Sequence, residues 1–515
     1  MRKLSFDDRY KQFRNQLRKY NLESIVRQAL RYTSTPPSDV LEDLRRAPWL
    51  AMLIAKWALL DKMVPANYGP AITPEAFEGL MQQLWSIESD LKPRTEMHGT
   101  PLLLRSLSFV QIAFQARNTR SFLRLPMLVS RLPENHRLRQ LFLQQWDMSP
   151  DHFVDLAICL YGARQHLHDP VIERSAFAAL AAHYGDPAID RILAEFSRNM
   201  PDLRRELIAM EWSDRDGKVK PRQRSELFEI PVFQRFPLLT LADGRYIVWH
   251  PIVMAKAMEV AVHLRLSEAG EAYTQAFSPI FEDYVIELVD SVGVPRHLEG
   301  EMKAQMGNKS KVVEAIMPSA GANILIEAKM GLFPDTMMTV SDPMIARHKM
   351  VNLVKAGNQG AAVCEALHTS KLSFADVTQS ETNYLLVITS RDLSVGRGTV
   401  LDGMCQPDGV EYGTELGRRL LPLEHVFFVS IEAFEGIVAA ARAGKISLPE
   451  FLASAVVRNR NLETSSLWLD LQLPDGARNI DDPESSIAKA WEAASRRLEQ
   501  ALSLPGLPDF KLNTA

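Results

Sequence analysis

The sequence predicts a multidomain α+β protein: an all-helical N-terminal region, then an α/β domain, then a helical C-terminal tail. Three observations carry this. A chain of 515 residues is too long for one hydrophobic core and calls for two or three domains. Apolar residues recur at three- and four-residue spacing through residues 1–211, as in LEDLRRAPWLAMLIAKWALL and FVDLAICLYGARQHL. From residue 272 onward, short β-type runs alternate with helical ones, the pattern of an α/β domain.

The elements follow in order. Residues 1–212 read as helices separated by turn signals such as YGDP at 184–187, with no fixed-period repeat. The polar stretch SDRDGKVKPRQRSE at 213–226 reads as a linker, and 213–270 as a connecting segment. Within that segment, FEIPVFQRFPLLTLADGRYIVWHP turns at Asp243-Gly244 into a short hairpin, and a helix follows over 251–266. The α/β domain spans 271–460. Its first helix, 272–292, lines up Phe277, Phe281, Tyr284, Leu288 and Val292 on one face. Strands are expected at about 297–304, 311–317 and 323–330, then a long helix over about 342–368. NYLLVIT at 383–389 and HVFFVS at 425–430 read as buried strands, and residues 461–515 as the helical tail.

Composition excludes several classes. At 46% hydrophobic and 24% charged residues, the chain is neither disordered nor collagen-like. A formal charge of −4 gives no global attraction to nucleic acid, so such binding needs a local patch. The three cysteines, Cys159, Cys364 and Cys405, form no C-x-x-C pair, which argues against a structural zinc site or a disulfide framework. MRKLSFDDRYKQFRNQLRKY lacks the apolar run of a signal peptide, and no stretch approaches the roughly 20 apolar residues of a membrane span. A cytoplasmic protein without membrane association is the expectation. Phosphate-binding loops, dinucleotide fingerprints and G-x-S-x-G elbows do not occur in the sequence.

The chemistry concentrates in KVVEAIMPSAGANILIEAKMG, 311–331. Strand alternation puts Leu325, Glu327 and Lys329 on one face and Ile324, Ile326 and Ala328 on the other. A strand this apolar belongs at the centre of a sheet, where Glu and Lys need partners. A divalent metal site supplies them: the carboxylate coordinates a hard cation, and the ammonium orients a water beside a phosphate. The preceding strand carries Glu314, and the PSAG turn at 318–321 folds it back as a hairpin, bringing Glu314 near Glu327. Two close carboxylates repel unless a cation or proton lies between them. On the earlier helix, Asp283, Glu287 and Asp290 fall on the solvated side, while Glu282 lies at the margin of the apolar stripe.

This order resembles the PD-(D/E)XK nuclease superfamily: an acidic helix FEDYVIEL, a strand with an acid, a hairpin, a strand with IEAK, a long helix and another strand. The resemblance covers roughly 272–435, and the flanking text resembles large bacterial members, some linked to antiviral defence. It implies a restriction-endonuclease-like α/β domain that binds Mg2+ or Mn2+. Glu327 would be a metal ligand, Lys329 the catalytic lysine, Glu314 the counterpart of the usual Asp, and Glu282 the helix acid. Gln359 and Lys355, on the following helix, are accessory candidates. Glu in place of Asp at 314, with no proline before it, is where the chain departs from the family pattern.

In the helical region, Arg105, Arg117, Arg120, Arg124, Arg131, Arg137 and Arg139 share their stretch with a single acid, Glu134. Arg117, Arg120 and Arg124 are therefore candidate phosphate contacts, and a solvated face or a docking surface for a protein trigger is the competing role. The expected function is a metal-dependent nuclease acting on DNA or on structured RNA such as tRNA. The resemblance implies a toxic effector of anti-phage defence, held inactive until a phage-derived protein triggers it. The alternative is a non-catalytic helical adaptor carrying an inactive nuclease fold. Self-association is compatible with either.

Overall fold

The computed structural model describes residues 5–35, 46–66, 68–89, 120–166, 171–211, 226–227, 232–319, 321–330, 348, 350–377, 382–406, 408–461, 463–478, 480 and 482–502. The linker expected at 213–226 lies outside them except for Glu226. The chain is α+β and mostly helical, with two small mixed sheets. Its described residues divide into two compact units. The first takes residues up to 268 together with the helix Ser486–Leu502, and the second takes 269–485.

The first unit is a helical assembly around an apolar interior. Ser5 caps the helix Phe6–Leu17 in a capping box with Asp8. The helix Pro48–Leu60 is apolar on every side but for Lys56, and it is correspondingly buried from Pro48 to Ala55 and from Trp57 to Leu59. The expected hairpin forms, with β3 (Leu238–Thr240) antiparallel to β4 (Tyr246–Val248). Two two-residue strands not expected from the sequence join it. They are β1 (Val171–Ile172), antiparallel to β4, and β2 (Ser197–Arg198), parallel to β3. The segment read as connecting, 213–270, thus contributes its hairpin and the helix Pro251–Ser267 to this unit.

The second unit holds the sheet β5-β6-β7-β8-β9, from His297–Leu298, Ala315–Ser319, Ala322–Lys329, Asn383–Thr389 and Val426–Ser430. β5, β6 and β7 are antiparallel neighbours, whereas β7, β8 and β9 run parallel. β7 is the central strand and is buried from Ala322 to Ala328, as its apolar sequence predicts. A buried amide pair ties it to β8: Asn323 Nδ2 donates to Asn383 Oδ1 at 3.0 Å, and Asn383 Nδ2 to the Leu420 carbonyl at 3.1 Å. The helix Glu271–Ser291 buries Phe277, Phe281, Tyr284 and Leu288 and packs against β7. The helix Val351–His368 packs against β7 and β8.

Two expectations need correction here. The strand expected at about 297–304 ends after Leu298, and Glu299–Met306 is a helix. Glu301 accepts from the Leu298 N–H, Glu299 pairs with Lys303 one turn on, and Gly307 ends the helix at φ +96. The tail expected at 461–515 is split. Residues up to 485 belong to the second unit, while Ser486–Leu502 belongs to the first.

Candidate active site

Glu327 and Lys329 close the C-terminal end of β7, the end of a parallel strand where ligands of α/β sheets collect. Glu327 has no exposed surface. Its Oε1 is ion-paired with the Lys329 ammonium, while its Oε2 is buried without a hydrogen-bond partner. A carboxylate oxygen left so in a sheet core is costly unless a proton or a cation balances it.

Gln359 completes this group from the helix Val351–His368. Its Oε1 accepts from Lys329 Nζ at 2.9 Å, and its Nε2 donates to the Val312 carbonyl at 2.7 Å. One amide thus orients the ammonium and fixes the segment that leads into β6. Glu314 sits one residue before β6 rather than inside it, because the ladder begins at Ala315. Its N–H still reaches the Ile326 carbonyl at 3.0 Å, which sets Glu314 beside Glu327 in the hairpin.

Charge binds these residues to two more. Burial, then the like charges of Glu327, Glu282 and Glu299, push the Glu314 carboxyl up to about 8, against the pull of Lys329. Burial pushes Glu327 up to about 7, although Lys329 and the nearby Gln359 amide draw it down, and Glu282 adds to the push. Glu282 is half-buried at the margin of its helix, while Asp283, Glu287 and Asp290 are exposed, as the helical wheel predicts. Its Oε1 accepts from Ser278 Oγ at 3.0 Å. Burial raises its carboxyl above the usual range against that bond, and Glu299 raises it further while Lys329 lowers it. Glu299 was not singled out in the sequence because its segment reads as a strand. As the first residue of a helix, it joins the cluster through its N–H, which bonds the Glu314 carbonyl at 2.9 Å.

Among the described residues, no three carboxylate, imidazole or thiol groups stand close enough to cage a cation as they lie. The donor set nevertheless fits a hard divalent ion. It consists of carboxylates with raised proton affinity, and one of them holds a buried oxygen with no other partner. Lys329 is at present the counter-ion of Glu327.

Among the described residues, the remaining candidates make no bond to this group. Lys355 is exposed, and its amine donates to Asn352 on its own helix at 3.3 Å. Arg117 lies outside the described residues. Arg124 is buried and paired with Glu259 at 3.6 Å, so its charge is used inside the first unit, and a phosphate contact does not fit it. Burial pushes Glu259 up, but Lys256 and Arg124 overcome this and hold its carboxyl well below the usual range. Arg120 stacks over the Trp491 ring at 4.9 Å, which again directs the guanidinium at the fold. Compared with family models, with curated proteins and with solved structures, the chain matches none. Among the described residues, no helix is long and apolar enough to cross a membrane.

Proposed function

We propose that the second unit is a metal-dependent nuclease of the PD-(D/E)XK type that hydrolyses phosphodiester bonds in DNA or structured RNA. The observation that carries this is the Glu327–Lys329–Gln359 group at the end of the central strand, with its unpartnered buried carboxylate oxygen and Glu314 alongside. Glu282, Glu314 and Glu327 would hold Mg2+ or Mn2+. The ion would supply charge to offset the pentavalent phosphate and acidity to a bound water. Lys329, held between Glu327 and Gln359, would orient the attacking water and stabilise charge on the non-bridging oxygens. Gln359 acts as a positioning residue for Lys329. The same reading gives the protein a cytoplasmic role as a toxic effector of anti-phage defence, released by a phage-derived protein.

The test is incubation of the purified full-length chain with Mg2+ or Mn2+ and single-stranded DNA, duplex DNA and tRNA, both alone and with extract of phage-infected cells to supply the trigger. Cleavage is expected with at least one substrate. Glu327→Gln and Lys329→Ala should each lower it by about 100-fold or more, on the scale of losing a general acid–base or charge-stabilising group. A wild-type chain inert toward every substrate would leave the adaptor with an inactive nuclease fold as the better account.

A further inference from the structure

We propose that Lys309, Lys311 and Lys355 form a cationic rim that holds the phosphate backbone of the nucleic acid beside the Glu327–Lys329 site. This rests on the nuclease reading above. The problem that the rim solves is electrostatic. The chain carries a formal charge of −4, and Glu282, Glu299, Glu314 and Glu327 act on one another in the site itself. A polyanion is repelled from such a place unless cations flank it.

The topology puts three lysines there from two elements. β6 is antiparallel to β7 with Ala315 opposite Ile326, so the residues preceding β6 run outward past the end of β7, where Lys329 lies. Gln359 fixes this path by bonding both Lys329 and the Val312 carbonyl. Lys311 is the next residue out, and Lys309 follows, on a turn held by the Ser310 N–H to the Gly307 carbonyl at 3.0 Å and by Ser310 Oγ to the Met306 carbonyl at 2.7 Å. Lys355 is four residues before Gln359 on the same helix, hence one turn away on the same face. All three are exposed. Among the described residues none is ion-paired, unlike Lys303 with Glu299 or Arg296 with Asp290 in the same unit. A lysine on a flexible stem suits a phosphate that must be held without being read.

The experiment measures binding without cutting. Labelled single-stranded DNA, duplex DNA and duplex RNA oligonucleotides are titrated with the Glu327→Gln chain in chelator, between about 50 and 200 mM salt. Replacing Lys309, Lys311 and Lys355 together by Ala should weaken binding on the order of tenfold or more. The slope of log affinity against log salt should become shallower by about two to three for duplex DNA. Replacement of the three by Arg should retain both. Removal of the exposed Lys371 and Lys445, which follow the far ends of their helices, should change neither. Unchanged affinity and slope in the triple Ala variant would overturn the rim, as would equal loss from the Lys371 and Lys445 variant or no binding of any oligonucleotide. If the rim lysines govern binding but the wild type never cuts with Mg2+ or Mn2+, the rim stands and the nuclease reading fails. Which oligonucleotide binds tightest separates DNA from RNA as the source of the phosphates.

Discussion

The carboxylates of the site make a prediction about stability that needs no substrate. Glu314 and Glu327 have folded-state values raised to about 8 and about 7, above the ordinary value of 4.5. An acid raised in this way binds its proton more tightly in the folded chain. Its contribution is complete below about pH 4.5 and is lost as pH rises through the folded value. Without divalent cation, the second unit should therefore lose stability steadily from about pH 5 to about pH 8. Glu314→Gln should remove part of that slope and raise Tm at about pH 8. Other acids titrate over the same range, so the measurement is the difference in Tm between wild type and Glu314→Gln across pH, in chelator. A difference that does not grow with pH would show that the Glu314 carboxyl is not crowded as described. Adding Mg2+ at about pH 8 should raise the wild-type Tm, because a ligand that binds only the folded site shifts the unfolding equilibrium. This rise should shrink in Glu327→Gln, which loses the carboxylate whose second oxygen has no other partner.

At the scale of elements, packing of the helix Val351–His368 decides how well Gln359 is held. Gly360, next to it, has no room for a side chain: a Cβ would lie 2.8 Å from Leu385 Cδ2 and 2.9 Å from Leu421 Cδ2. Gly360→Ala should cost about 1–3 kcal/mol in denaturant unfolding, the usual penalty of overpacking a core. Gly436, in the helix Ile431–Arg442, has nothing within 4 Å of the same construction. Gly436→Ala should instead be neutral or stabilising by up to about 1 kcal/mol, because only backbone entropy changes. Equal effects at the two sites would refute the packing argument. The strands around this helix were legible because NYLLVIT and VFFVS are unbroken apolar runs, as strands buried on both faces require. The placement of Glu282 was legible from the helical wheel, and the Glu314–Glu327 pairing from the hairpin turn. What escaped was decided by single side chains or by distant partners. HLEGEMK becomes two strand residues and a helix through the bonds of Glu301 and Lys303. β1 and β2 have two residues each, too few to show alternation, and exist because β3 and β4 offer them edges.

At the scale of the whole chain, the second unit is an insertion, since the first unit resumes at Ser486 after the sheet β5–β9 is complete. The sequence shows an amphipathic helix at Ser486–Leu502 but cannot name its partner, because the decisive contact lies on the helix Pro150–His166. Arg497 donates from Nε and Nη2 to the two oxygens of Asp155, at 2.9 and 2.7 Å, and Tyr184 adds its hydroxyl at 2.9 Å. Asp155 has no exposed surface, and burial raises its carboxyl above the usual range although Arg497 and Tyr184 draw it down. Removing the guanidinium strands this carboxylate. Arg497→Leu should therefore destabilise the first unit by about 2–4 kcal/mol, somewhat below the full cost of breaking a buried pair because Arg497 is 35% exposed. Adding Asp155→Leu should recover much of the loss, since two apolar side chains leave no charge uncompensated. The readout is hydrogen exchange resolved by segment. Protection should fall in Pro150–His166 and Ser486–Leu502 while β7, β8 and β9 keep theirs, and the double variant should restore it. If the single variant lost protection evenly across both units, the helix Ser486–Leu502 would not be a member of the first unit alone. If the double variant were as weak as the single one, the buried Asp155 charge would not be what the helix is there to balance.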